Sequence, residues 1–225
     1  NEYSVPQKGE YKTLFLDKDE YLYPTRKLLN HMNGGMRAFL DQQRKQGEKL
    51  GYINYIASNN GFTLADLFMY NDKHNEANGE GNLDGNQWNF SNNYGCEGPT
   101  RKRFVSEIRK LKWRNAMMML FLAQGVPMVW SGDEIGNSQE GNNNAYCQDN
   151  KIGWINWKND KLAIERQMFL KKLIEFRKKH SIIASKMPYH FNDYGAFGYP
   201  DLSYHAQNAW ASDADLDRLC IGLMY

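Results

Sequence analysis

The stretch "YINYIASNNGFTL", residues 52–64, decides how the rest of the chain is read. Its first seven residues, 52–58, are β-branched, aromatic or small, and they are too few for a stable helix. They read as a buried strand. At the tip stand two amides, Asn59 and Asn60, and a glycine follows them. A short helix, "LADLFMYN", is expected over 64–71, capped by Thr63 or by the Asn pair. A strand that ends in this way presents its last side chains to a ligand, yet here it presents two neutral groups.

Working outward, the same order recurs. After 71–100, a segment rich in Asn, Gly and acids, the clearest helical pattern occupies 101–124, with apolar residues at 104, 105, 108, 111 and 116–122 and Gly125 ending it. The Met117–Met119 cluster reads as core filler. A second buried strand is expected at 126–131, then another polar, aromatic loop. A second amphipathic helix follows over 160–180, with Leu162, Phe169, Leu170, Leu173, Ile174 and Phe176 on one broad face. The order strand, polar loop, helix, twice over, predicts an α/β fold with a parallel sheet and a ligand site at the C-terminal ends of its strands. Two such units are too few for a whole barrel. Upstream, Pro24 could open a helix, and 36–47 reads as another. Downstream, 189–225 reads as short strands and turns, with "DLSYHAQNAW" and "RLCIGLMY" as strand candidates.

Loops as long as 71–100 are uncommon inside compact domains and are often functional. Trp88, Phe90, Tyr94 and Cys96 argue against a solvated linker there. With 41% hydrophobic residues in 225, a core is affordable. The charge, +2 from 28 basic and 26 acidic residues, is too balanced for a nucleic-acid footprint. The basic runs at 101–104, 109–114 and 176–180 read as solvated helix faces. Cys96, Cys147 and Cys220 are few and widely spaced, which predicts neither a disulfide framework nor a zinc site and suits a reducing cytoplasm. No run of 18 apolar residues suggests a membrane span, and "NEYSVPQKGEY" carries no signal-peptide apolar region. No metal is assigned to His180, His190 or His205, and no cofactor is expected. The loop "NGEGNLDG" resembles a calcium loop only in composition.

Three long motifs carry a resemblance to a known family: "INYIASNNGFTLADLFMYNDKHNEANGEGNLDG" with the following "CEGPT", then "QGVPMVWSGDEIGNSQEGNNNAYCQDNKIGWINW", then "DLSYHAQNAW". Together they resemble the glycogen-debranching, isoamylase-like branch of the α-amylase superfamily, glycoside hydrolase family 13, over roughly residues 50–215. The resemblance implies a partial (β/α)8 TIM barrel over 1–188 and the beginning of a C-terminal β-sandwich domain over 189–225. Residues 52–58 and 126–131 would be its seventh and eighth strands. It also implies a His-Asp pair at the tip of the seventh strand, and there this sequence departs: Asn59 stands where the His would be and Asn60 where the Asp would be. No nucleophile or general-acid motif is found in residues 1–50.

The chain alone is therefore expected to be inactive as an α-glucan hydrolase of the α-1,6-glucosidase type. The alternatives are a non-catalytic α-glucan-binding module and a structural or interaction module. Expected substrate contacts are Asn59, Asn60, Lys73, His74, Asn75, Asn144 and Tyr146. The competing reading is that the two loops bond mainly to each other. Trp154 and Trp157 are expected to pack under the second loop. Adjacent Asp133 and Glu134 point oppositely in an extended stretch, which favours a structural role over a catalytic pair. Expected partners are glycogen or branched maltooligosaccharide, and either a second copy or a partner chain that completes the barrel; nucleic acid and membrane are not expected. Asn60-Gly61 is a deamidation-prone dipeptide, but strand geometry would slow the reaction.

Overall fold

The computed structural model describes residues 53–87, 89–157, 160–185, 189–190, 192–193, 195–205 and 222–225. The expected helices at 24–32 and 36–47, and Trp88 and Cys220, lie outside them.

Strand β1 (Ile53–Asn54) pairs in parallel with β2 (Val126–Pro127), Ile53 opposite Val126 and Asn54 opposite Pro127. The ladder continues through the Met128 N–H, which donates to the Asn54 carbonyl at 2.8 Å. Helix α1 (Arg103–Leu122) forms the crossover between them. This is the expected parallel α/β unit, but its strands are much shorter than 52–58 and 126–131. Among the described residues, two of each strand find a partner ladder. After Asn54 the chain turns inward and buries Ile56 and Ala57 without forming a strand.

Helix α1 buries Val105, Arg109, Trp113, Ala116, Met117, Leu120 and Phe121, a stripe of i, i+4 and i+3 steps. Phe104, Leu111 and Met118 of the predicted apolar set are exposed. Met118 corrects the reading of the whole methionine cluster as core, because it points a third of a turn away from Met117. Helix α2 (Lys161–Lys179) is capped by Asp160, whose carboxylate accepts from the Ala163 N–H at 2.8 Å. Its buried residues are Ala163, Leu170 and Arg177, two turns apart. Leu162 and Phe176, placed on the core face from sequence, are exposed. The two helices meet at Trp113 and Phe169, with ring centroids 6.2 Å apart, and Arg166 lies over the Trp113 ring. Below them the core gathers Phe62, Leu64, Leu67, Phe68 and Tyr70 from the segment after β1. That segment forms only a short 3-10 turn, Asp66–Phe68, in place of the helix expected over 64–71.

Two arginines from runs read as solvated faces are buried. The Arg177 guanidinium donates to the carbonyls of Phe121 and Ala123, both at 2.7 Å, and of Gly125 at 2.5 Å. These carbonyls lie at and just beyond the end of α1, where helix geometry leaves acceptors without partners. Five donors in a fixed fork suit that task better than an ammonium. Arg109 serves in the same way for the carbonyls of Gly98 (2.7 Å), Asn93 (2.8 Å) and Cys96. Replacing Arg177 by Met is expected to cost about 2 kcal/mol, since three carbonyls lose charge-assisted donors. Lys178→Met, one residue on and exposed, should fall within about 0.5 kcal/mol of the parent. Urea unfolding midpoints of the two variants check this.

Downstream, β3 (Ser203–His205) and β4 (Gly222–Met224) pair antiparallel, Ser203 opposite Met224. Both fall inside the expected strand segments. No helix among the described residues is long and apolar enough to cross a membrane.

Candidate functional site

Both polar loops leave from the β1–β2 side of the unit and lock onto each other. The centre of the lock is a reciprocal amide pair between residues 68 positions apart. Asn75 Nδ2 donates to Asn143 Oδ1 at 2.8 Å, and the Asn143 N–H donates to Asn75 Oδ1 at 2.9 Å. Both residues are buried. Asn143 Nδ2 also donates to the Asn86 carbonyl (2.8 Å) and to Asn89 Oδ1 (2.7 Å). Around this pair, Asn78 accepts from Asn142 and from Gln148, both at 2.8 Å, and donates to Asp84 Oδ2 at 2.7 Å. Asn144 Nδ2 reaches the same Asp84 oxygen at 2.9 Å. Burial acts to raise the Asp84 carboxyl, but these amide donors outweigh it and hold the group below its usual range. Lys73 Nζ donates to the Asp84 carbonyl at 2.5 Å. A Cβ on Gly85, whose φ is +73°, would stand 2.2 Å from Asn143 Oδ1, so only glycine lets the backbone approach the pair.

A second bridge is a carboxylate. Asp66 is fully enclosed and accepts from Ser138 Oγ at 2.5 Å and from the Gln139 N–H at 2.7 Å, which fixes the start of the loop after β2. Burial pushes its pKa up to about 6, against the lowering effect of those donors and of Gly141 and Thr63. Asp133 binds in the opposite sense: its Oδ1 accepts from the Leu64 N–H at 2.8 Å, while Glu134 Oε2 turns back to the Gly132 N–H at 2.8 Å. Their carboxylates thus serve different backbone groups. The two do not form a shared acid pair.

The sequence-predicted residues divide accordingly. Lys73, Asn75 and Asn144 sit inside the lattice. His74 is tied to it by its N–H, which donates to the Gly141 carbonyl at 2.8 Å. Its ring nitrogen lies 3.3 Å from Glu97 Oε1. Burial acts to raise Glu97, but hydrogen bonds from Asn93, Asn71, Asp72 and His74 hold it below the usual carboxylate range. Tyr146 is exposed and donates its hydroxyl to Glu80 Oε1 at 2.7 Å. Asn59 and Asn60 are exposed in the bend at 59–61. Trp154 and Trp157, expected to be packed, are 59% and 66% exposed. The Trp154 indole Nε1 donates to Asp149 Oδ1 at 2.9 Å, a contact made at the surface.

Sequence reasoning passed over Asp66, Asp84 and Glu97. A signal for Asp66 existed: it is the one charge in the apolar run Phe62–Tyr70, and a buried carboxylate needs donors from elsewhere. For Asp84 and Glu97 the surrounding segment is polar throughout, so composition offers none.

No protein-family model matches the sequence. A glycogen debranching enzyme from Pectobacterium carotovorum is 39% identical over 181 residues, 76% of this chain and 27% of its own length. A glycogen operon protein GlgX homolog from Mycobacterium tuberculosis is 45% identical over 130 residues, 58% of this chain and 18% of its own. The chain is a relative of the glycogen-debranching, isoamylase-like branch of the α-amylase superfamily. A further debranching enzyme, from Erwinia tasmaniensis, is 50% identical over 119 residues, 52% of this chain and 18% of its own. The chain thus spans about a quarter or less of these debranching-enzyme relatives. Among solved structures, a pullulanase from Paenibacillus barengoltzii in complex with maltohexaose and alpha-cyclodextrin superposes with a TM-score of 0.45 at 17% identity. It covers 70% of this chain and 19% of its own, a likeness too slight to define the fold.

Proposed function

We propose that this chain is the C-terminal portion of a debranching-type (β/α)8 barrel over 1–188 and the start of its β domain over 189–225. In this reading β1 and β2 belong to the seventh and eighth barrel strands, and the two interlocked loops form the rim of an α-glucan site. The observation that carries it is the identity to debranching enzymes over 181 residues, joined to a parallel unit whose long loops meet on one side. Ile53 and Val126 are 37% and 58% exposed, which supports an open sheet that further strands, from a second copy or a partner chain, would complete.

The chemistry follows from what the site holds. A retaining glycosidase needs one carboxylate as nucleophile and one carboxyl as acid flanking an oxocarbenium-like transition state. At the positions the resemblance assigns to a His-Asp pair, Asn59 and Asn60 supply hydrogen bonds without charge. Loss of one positioned electrostatic group commonly costs on the order of 10²–10³ in rate, and loss of nucleophile and acid removes the route. The purified chain is expected to release no reducing ends from a branched maltooligosaccharide. The double variant Asn59→His, Asn60→Asp is expected to release none either, because it restores neither missing carboxyl. Cleavage by either protein above a no-enzyme blank would overturn this reading.

A second reading, a structural module, draws support from the lattice itself, since amides that bind one another are not offered to a sugar. Calorimetric titration with a linear maltooligosaccharide separates the two. Heat of binding that is lost in Tyr146→Ala supports the glucan rim, and no heat supports the structural module. Light scattering reads completion of the barrel, with a dimer or larger assembly as the expected result.

A further inference from the structure

We propose that Tyr146 and Trp154 form a stacking platform for the glucose rings of an α-glucan, with Glu80 and Asp149 accepting from its hydroxyls. The ligand class rests on the proposed function. The platform rests on geometry, and of its four residues only Tyr146 was expected from sequence to meet a ligand.

The two aromatic side chains are anchored alike. Tyr146 is 73% exposed and donates its hydroxyl to Glu80 Oε1 at 2.7 Å. Trp154 is 59% exposed and donates its indole N–H to Asp149 Oδ1 at 2.9 Å. The hydrogen bond and charge of Glu80 push the Tyr146 hydroxyl above its usual range, so it stays a donor at neutral pH. Each bond spends one carboxylate oxygen. The second oxygen of Glu80 and of Asp149 has no partner among the described residues, and both residues are exposed. An exposed ring without such a tie samples several rotamers and loses that freedom on binding. Here the ties hold the rings before a ligand arrives.

The backbone under Trp154 is fixed as well. The Trp154 N–H donates to the Asn150 carbonyl at 2.9 Å, and the Ile152 N–H donates to Asn150 Oδ1 at 2.8 Å. A Cβ on Gly153 would stand 2.1 Å from the Gln148 carbonyl oxygen, so the turn closes only around glycine. Asn150 Nδ2 donates to Gln148 Oε1 at 2.7 Å, and Gln148 Nε2 reaches Asn78 Oδ1 at 2.8 Å. The indole is thereby joined to the loop lattice in a few steps.

The arrangement suits a sugar. A pyranose presents a face of C–H groups, which an aromatic ring covers, and a rim of hydroxyl donors, which a carboxylate accepts. The buried amides of the lattice are spent on one another. The groups these loops turn to solvent are the two ring–carboxylate pairs.

The test is calorimetric titration of the chain with maltohexaose, with tryptophan emission recorded beside it. The parent should bind with a change in emission. Trp154→Ala should weaken binding about tenfold and remove most of that change. Trp154→Phe keeps a flat face and should bind within about threefold of the parent. Asp149→Ala keeps the indole but frees it, and should fall between the two. Binding that is unaltered in Trp154→Ala but lost in Tyr146→Ala would overturn the platform and leave the glucan rim standing. No heat from the parent would overturn both. Tetramethylammonium chloride, which rings and carboxylates also hold, is titrated in parallel, and heat from it alone would replace the sugar by an organic cation.

Discussion

Asn143→Ala is expected to destabilise the chain by about 3 kcal/mol, although Asn143 lies in a loop and touches no strand or helix residue through its amide. The side chain is buried, and its three hydrogen bonds run to Asn75, to the Asn86 carbonyl and to Asn89. Truncation removes all three bonds, two of them to the buried Asn75 and Asn89, and a buried group that loses its partner costs about 1–3 kcal/mol. Asn75 Nδ2 keeps the Asp84 carbonyl at 3.1 Å, which limits its share of the loss. Asn143→Asp should be about as damaging, because its second oxygen would face the Asn86 carbonyl oxygen. Asn144→Ala removes one side-chain bond to Asp84 from a half-buried position and should cost about 1 kcal/mol. Urea unfolding of the three variants decides the matter. Equal, small effects would mean that the amide lattice decorates the loops without holding them.

The second large effect is pH dependence through Asp66. Its folded pKa is pushed up to about 6 from an ordinary value of 3.8, chiefly by burial. The folded state therefore holds a proton that the unfolded chain has released across this interval. The resulting stabilisation is fully present below about pH 3.8 and is lost as pH rises through about 6. Two units correspond to about 3 kcal/mol. Asp84 and Glu97 act in the opposite sense, since their donors hold them low and their protonation in acid removes stability. They are common to parent and variant, so the comparison with Asp66→Asn isolates Asp66. The stability of the parent relative to Asp66→Asn is expected to fall by about 2 kcal/mol between pH 4 and pH 7. A constant difference across that range would show that Asp66 is ionised at both ends.

Much of the scaffold was legible before any coordinates. Helices α1 and α2 were placed within about two residues because a 3.6-residue apolar period over five turns is a strong local signal, and Asp160 marks the start of α2. Their exposed members, Phe104, Leu111, Met118 and Phe176, were misassigned because period alone does not say how wide the buried stripe is. The strands were found but drawn too long. A run such as 52–58 records burial, whereas a strand also needs a partner ladder, and among its described residues only Ile53 and Asn54 have one. The competing reading of the loops, amide bound to amide, describes the geometry, but which amides pair was not readable across 60–70 intervening residues.

By itself the sequence determined the resemblance to glycogen debranching enzymes, the βαβ order, the helix limits and the presence of two neutral amides at 59–60, because each is a matter of residue type or short-range period. Tertiary structure alone decided that Arg109 and Arg177 turn inward, that burial pushes the Asp66 carboxyl up to about 6, and which amides of the two loops pair. Those outcomes depend on which distant donors and acceptors arrive at a buried group, and the free energy of that group follows the partners it finds.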